Sequence, residues 1–237
     1  MLAQISQLVS ENIFLNTLGI LCCLVALETV LSADNAVALA ALVQHLPEEK
    51  HQKRALNWGL GGAFILRITL IILATWVIQF WQFQLAGALY LLGLTGKYFW
   101  ARWSDNEAET PPSLLPVQGN FFWQVVPFIA VTDLAFSLDS VTTAIALSNE
   151  LWLVLTGGII GVIALRFLAE LFITWLNKFT YLQDAAYLTI FWVGVRLFLK
   201  ALMPSYVPPE WMVLSVIIVL FAWGFSKRDD LEMSSLD

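Results

Sequence analysis

Two stretches of the chain carry the same chemistry. Glu28-Thr29-Val30-Leu31-Ser32-Ala33-Asp34-Asn35 and Asp133-Leu134-Ala135-Phe136-Ser137-Leu138-Asp139-Ser140 each hold an acid, a serine four residues on, an aspartate two further, and then an amide or hydroxyl. Both lie inside long apolar runs. A charged side chain at the centre of a membrane-spanning helix costs about 2.5–3.5 kcal/mol on insertion scales. Four acids in two matched sets need compensation, and a bound cation is the simplest form of it. Glu28, Asp34, Asp133 and Asp139, assisted by Asn35, Ser32, Ser137 or Ser140, offer oxygen donors only. Such donors suit hard divalent ions, Mn²⁺, Mg²⁺ or Ca²⁺, and residue chemistry does not choose among the three. Zinc or copper would more often bring imidazole or thiolate.

Basic residues recur at comparable depth. Arg67 and Arg166 match in spans 2 and 5, Lys97 and Arg196 match in spans 3 and 6, and Glu170 lies one turn beyond Arg166. One reading makes these bases structural partners of the acids. The other has the arginines neutralise the carboxylates of an empty site and yield to metal. An acid that has given up its cation in a dry interior can take a proton instead, and this competition is proton–metal antiport without a separate proton path.

The elements that must position these groups are helices in a bilayer. The 237 residues are 59% hydrophobic and 13% charged, far from globular composition. Several runs exceed the ~20 apolar residues that cross a bilayer. Seven spans are expected, at about 13–43, 56–78, 84–101, 121–147, 151–175, 182–202 and 210–225. Backbone in hydrocarbon must pair internally, and these runs are too long and uniformly apolar for barrel strands. The expected fold class is therefore an all-α membrane protein of seven transmembrane helices. Lys50, Lys53 and Arg54 follow span 1, Arg102 follows span 3, Lys178 span 5, and Lys227 with Arg228 span 7, whereas the opposite loops hold only Lys200. The positive-inside rule then puts the N-terminus outside and the C-terminus in the cytoplasm. The start has no basic n-region of a cleaved signal peptide. The adjacent Cys22 and Cys23 read as small apolar fillers.

The halves repeat beyond the acidic motif. Glu28 maps to Asp133 at an offset of 105, and Gly62–Arg67 resembles Gly161–Arg166 at an offset of 99, as Gln84–Lys97 does Gln183–Arg196. Three helices repeated as three helices enter the membrane from opposite sides. This predicts a 3+3 inverted-topology repeat plus one extra helix, with substrate at the repeat interface near the midplane. The units expected are 1–101 for the first repeat, 102–120 for a cytoplasmic linker, 121–202 for the second repeat, and 203–237 for the seventh helix and cytoplasmic tail.

Glu28, Ser32 and Asn35 form one stripe of a regular helix, as do Asp133, Ser137 and Ser140, which leaves Asp34 and Asp139 off the stripe. Either the helices break near Ser32–Asp34 and Ser137–Asp139, bringing these aspartates to the site, or the aspartates face other partners. The break is the favoured expectation. The glycines of spans 2 and 5, including Gly157-x-x-x-Gly161, read as close helix packing. His45, Glu48, Glu49 and His51 read as a solvated loop, and tryptophans at span ends as an interfacial belt. The sequence shows no nucleotide-binding loop, catalytic triad or basic nucleic-acid patch, so the expected partners are a divalent metal ion and the lipid bilayer, with no enzymatic activity and no nucleic acid.

The paired motifs, the repeat and the seventh helix resemble the TerC family of integral membrane proteins over about residues 12 to 226. The specific part is Glu28-x-x-x-Ser32-x-Asp34-Asn35 and Asp133-x-x-Phe136-Ser137-x-Asp139-Ser140. The resemblance implies a place in the LysE-type transporter superfamily and Mn²⁺ efflux as the activity, with Mn²⁺ as the bound substrate ion. Carried over by position, it implies Glu28, Asp34, Asn35, Asp133, Asp139 and Ser140 as metal-site residues; the arginines come from the repeat alone. It also implies a second role, since family members in photosynthetic organisms are tied to thylakoid biogenesis: an assembly factor for membrane complexes. The expected location is the cell's inner (plasma) membrane, with the thylakoid membrane as the alternative. Export of a cationic amino acid, as in distant relatives, would also need anion-binding helix ends.

Overall fold

A computed structural model of the chain describes residues 2–44, 46, 48–77, 79–104, 121–148 and 150–228. Most of the expected linker (105–120), the tail from 229, and His45 lie outside the described residues. The helices are α1 (Leu2–Val43), α2 (Glu49–Ile72), a single turn α3 (Ala74–Val77), α4 (Trp81–Ser104), α5 (Phe121–Leu147), α6 (Leu151–Leu176), α7 (Leu182–Leu202) and α8 (Glu210–Gly224), with a 3-10 turn at Pro204–Tyr206. Among the described residues the only extended pairing is an isolated bridge, Phe179 with Arg228. The all-helical expectation holds.

Four helical segments among the described residues are long and apolar enough to cross a bilayer: Glu49–Ile72, Val125–Leu147, Leu151–Leu176 and Leu182–Leu202. Thr17–Ala26, Ser32–Val43 and Trp211–Gly224 are shorter apolar stretches. Against the seven expected crossings, α4 falls outside both sets because Gln82, Gln84, Lys97 and several tyrosines and tryptophans dilute its apolar character. The 42 residues of α1 make a rod of about 63 Å at 1.5 Å per residue, about twice the ~30 Å hydrocarbon core.

The expected helix breaks do not occur. α1 runs unbroken through Ser32–Asp34, and α5 through Ser137–Asp139. No glycine or proline lies within either motif, and Pro127 sits well upstream of Asp133. The local hydroxyls bond back to the helix instead of opening it: Thr29 donates to the Val25 carbonyl at 2.7 Å, Ser137 to Asp133 at 2.7 Å and Thr143 to Asp139 at 3.1 Å. Helices tolerate such bonds one turn back with slight bending at most. The off-stripe aspartates therefore face different neighbours from Glu28 and Asp133.

α1 packs chiefly on α6, α2 on α5, and α4 on α7, with α8 against α7; α5 also touches α1 and α4. Two apolar clusters fill the interior. The larger includes Ala36–Val43, Leu56, Leu60, Ile129, Leu165 and Tyr187; the smaller includes Leu24, Leu70, Ile71, Leu138, Val141 and Val154. Along α1, Glu28 falls between Leu24 and Ala36, and along α2, Arg67 falls between Leu60 and Leu70. The charged residues thus occupy the seam between two dry layers.

Without a hydrophobic drive between helices in lipid, close backbone approach carries the packing. A Cβ built on Gly59 would lie 2.6 Å from Ile129 Cβ, whereas one on Gly61 meets nothing within 4 Å. Gly59→Ala is expected to lower stability by about 1–3 kcal/mol through overpacking. Gly61→Ala should leave stability unchanged or slightly raised, as read by thermal unfolding in detergent.

Candidate functional site

One buried base organises the seam. Arg67, 1% exposed, donates from Nη1 to Glu28 Oε1, and from Nη2 to Asp133 Oδ1 at 3.2 Å, with Oδ2 at 3.4 Å. Glu28 and Asp133 are themselves buried. A single guanidinium from α2 is therefore shared by the acids that head the two motifs, one on α1 and one on α5. Among the described residues Arg67 Nε has no hydrogen-bond partner. With both carboxylates ionised the trio carries a net charge of about −1, so it holds more negative charge than its own base cancels.

The rest of the shell follows from helix spacing. Ser137, one turn beyond Asp133, donates to its carbonyl and lies 3.4 Å from Asp133 Oδ2. Ser32, one turn beyond Glu28, donates to the Gly161 carbonyl at 3.4 Å. α6 presents Gly157, Gly158 and Gly161 toward α1 and α2. A Cβ on Gly161 would overlap Glu28 Cγ and come within 3.1 Å of Oε1, and one on Gly157 would meet Leu24 at 3.4 Å. The expected glycine packing is present, and its specific load is the Glu28 carboxylate. Glu28 and Arg67 also line a cavity of about 10 Å³ with Leu24, Ile71, Val141 and Gly158.

The second aspartates form a separate group. Asp139 Oδ2 accepts from Arg196 Nη1, and Oδ1 from Lys200 Nζ at 2.6 Å; both bases come from α7. Asp34, buried, accepts the Asn35 backbone N–H at 3.0 Å and lies within electrostatic reach of Asp139 and Arg196. Asn35 and Ser140 are buried beside them, and Ser140 donates a long 3.5 Å bond to the Ser137 carbonyl. The structure thus divides the sequence-derived set in two. Glu28 and Asp133 surround Arg67, while Asp139 is held by Arg196 and Lys200 with Asp34 nearby. Among the described residues no three His, Cys, Asp or Glu side chains come together as a metal cage.

Arg166 does not join either group. It is exposed and donates from Nε to Asn57 at 2.8 Å. It differs from Arg67 in that among the described residues it pairs with no acid: Glu170, one turn on, pairs with Lys53 at 3.7 Å instead. Sequence reasoning also passed over Lys200, whose i, i+4 spacing from Arg196 was the available signal. It passed over Asp184 too, which accepts from Tyr98 at 2.8 Å and pairs with Arg102 at 2.9 Å, beneath a Tyr98–Tyr187 stack with centroids 3.6 Å apart.

Chemically, the Glu28 and Asp133 carboxylates, with the Ser137 hydroxyl 3.4 Å from Asp133, present oxygen donors of the kind that hard divalent ions prefer. Among the described residues no Cys or His clusters with these acids to favour a soft ion. A model of the TerC family of integral membrane proteins matches residues 15–231. The chain belongs to that family. Among its relatives are two uncharacterized membrane proteins of Bacillus subtilis, YceF and YkoY. YceF is 37% identical over 86% of this chain and 79% of its own length; YkoY is 35% identical over 77% and 60%. A chloroplastic thylakoid membrane protein of Arabidopsis thaliana, TERC, is 26% identical over 73% of this chain and 52% of its own. The chain thus spans about four fifths of the first relative and only three fifths and half of the others. No solved structure matches it. The protein is an integral, multi-pass membrane protein of the TerC family, as the motif resemblance implied.

Removing the shared base tests the electrostatics. Arg67→Met, which strands two buried carboxylates together, is expected to cost about 3–5 kcal/mol. Adding Glu28→Gln and Asp133→Asn should recover most of it, as read by chemical unfolding in detergent.

Proposed function

We propose that the protein is a secondary transporter that exports a divalent cation, Mn²⁺ foremost, in exchange for protons. The observation that carries this reading is the single guanidinium shared by Glu28 and Asp133 in a dry interior. A bundle that needed only glue would be served at lower desolvation cost by apolar side chains. An internal base that can be replaced by a cargo ion gives the carboxylates a reason to be there.

In this reading the fold is a seven-crossing, 3+3 inverted repeat with an added helix. The packing supports it: exchanging α1 with α5 and α2 with α6 turns the α1–α6 contact into the α5–α2 contact, and α4 meets its counterpart α7 directly. Glu28 and Asp133 then lie across the pseudo-two-fold, where inverted-repeat transporters hold substrate. Mn²⁺ enters from the cytoplasmic side and displaces Arg67 from the two carboxylates, with Ser32 and Ser137 oxygens completing its coordination as the helices shift. Asp139, clamped by Arg196 and Lys200, forms the second station together with Asp34. When the ion leaves outward, protons or Arg67 neutralise the acids and the carrier resets. Oxygen ligation also admits Ca²⁺ and Mg²⁺, and the family resemblance favours Mn²⁺. The N-terminus lies outside and the C-terminus in the cytoplasm of a plasma membrane.

A second reading, an assembly factor for membrane complexes, draws on the relative named as a thylakoid membrane protein. There the charged seam would only hold the bundle together. Reconstituted flux separates the two. Proteoliposomes under an imposed pH gradient should move Mn²⁺ through the wild type. Glu28→Gln or Asp133→Asn should slow it by more than about tenfold, a 1.4 kcal/mol loss of ion affinity being enough. Full flux through both variants would remove the proposed site, and no flux with stable co-purifying partners would favour assembly.

A further inference from the structure

The outward turn of Arg166 has its own chemistry. Its local sequence resembles that of Arg67, yet it lies on an exposed face of α6 among Ile163, Phe167 and Leu171, with its guanidinium 5.8 Å from the Phe167 ring centre. Among the described residues its one hydrogen bond is that from Nε to Asn57 Oδ1. A guanidinium has five N–H donors, so its two-nitrogen edge remains to be matched. Arg54, one turn before Asn57 on the exposed face of α2, likewise has no carboxylate at ion-pair distance among the described residues. Lys53, in contrast, is neutralised by Glu49 at 2.9 Å and Glu170 at 3.7 Å. Among the described residues the outer seam therefore holds two positive charges without acidic partners.

Its depth fits one class of ligand. Asn57 is eight residues into α2, about 12 Å from the helix start, just past the charged turn that holds Glu49, Lys50, Lys53 and Arg54. Exposed Trp58, 6.5 Å from Trp123, marks the same level as an interfacial belt would. Gly61, with nothing within 4 Å of an added Cβ, leaves the α2 surface flat below it. An arginine at the boundary of headgroups and acyl chains needs an anion there, and its planar edge matches a phosphate through two parallel N–H donors.

We propose that the outer seam of α2 and α6 is a binding site for the phosphate of an anionic phospholipid, gripped by the free edge of Arg166, with Arg54 adding charge and Asn57 fixing the guanidinium. A zwitterionic lipid brings its own cation and leaves the two arginines uncompensated, so the site selects anionic headgroups. This inference is independent of what the interior seam transports.

The test is lipid retention. The full chain is equilibrated in nanodiscs of phosphatidylglycerol and phosphatidylcholine, extracted, and its bound lipid counted by native mass spectrometry. Wild type should be enriched in phosphatidylglycerol. Arg166→Gln should lower that enrichment about fivefold, the share of one basic residue at an anionic surface. Arg166→Lys, which keeps the charge and covers the event that Arg166→Gln does not fold, should retain part of the enrichment, and Asn57→Ala most of it. Equal retention of both lipids by the wild type, or unchanged enrichment in both Arg166 variants, would overturn the proposal. So would loss of the bound lipid to soluble glycerol phosphate, or a second copy of the chain covering this face.

Discussion

A guanidinium shared between two buried carboxylates is the constraint around which this bundle is arranged. Removing charges from water costs several kcal/mol per ion, and the interior repays it only where geometry and hydrogen bonds are good. The surrounding structure meets that condition. Ser137 supports Asp133. Gly161 makes room for Glu28 at the closest approach of α6 to α1. Apolar clusters on either side keep the seam dry. Three helices are pinned by the one side chain of Arg67, so the interaction that holds the core is also the one that a cargo ion would have to replace.

The two motifs are alike in sequence and unlike in use. Their leading acids converge, but their trailing aspartates do not follow, because unbroken helices turn Asp34 and Asp139 to another face. There Asp139 meets Arg196 and Lys200, a pair one turn apart on α7. The matched arginines diverge in the same way: Arg67 points in to two acids and Arg166 points out past Asn57. Helix pairing that matches α1–α6 with α5–α2 thus carries an asymmetric set of charges. In the transport reading this separates the place where an ion is held from the clamp beside it.

Much of this was legible in the residues. Long apolar runs required helices, acids inside them required a partner, and the motif spacing named the family. Glu28, Asp133 and Arg67 were each singled out, and the stripe rule set Ser32 and Ser137 beside them. What was hidden depends on neighbours far away in the chain. Arg67 and Arg166 end similar segments, Gly62–Arg67 and Gly161–Arg166, so the packing of α1 and α5 against α2 decides which one faces acids. The unbroken course of α1 and α5 was equally hard to see, because serine and threonine can open a helix or bond back into it, and here they bond back. Lys200 read as a loop charge, although its long side chain reaches inward to Asp139 at 2.6 Å.

The sharpest check on the account is the affinity of the purified protein for Mn²⁺ with and without the competing base. If Arg67 occupies the place of the ion, then Arg67→Met, followed by Mn²⁺ electron paramagnetic resonance titration, should bind Mn²⁺ more tightly than the wild type by about tenfold or more. Bound Mn²⁺ should also restore the stability lost with the base. Binding that is unchanged or abolished in that variant would show that Glu28 and Asp133 serve Arg67 alone.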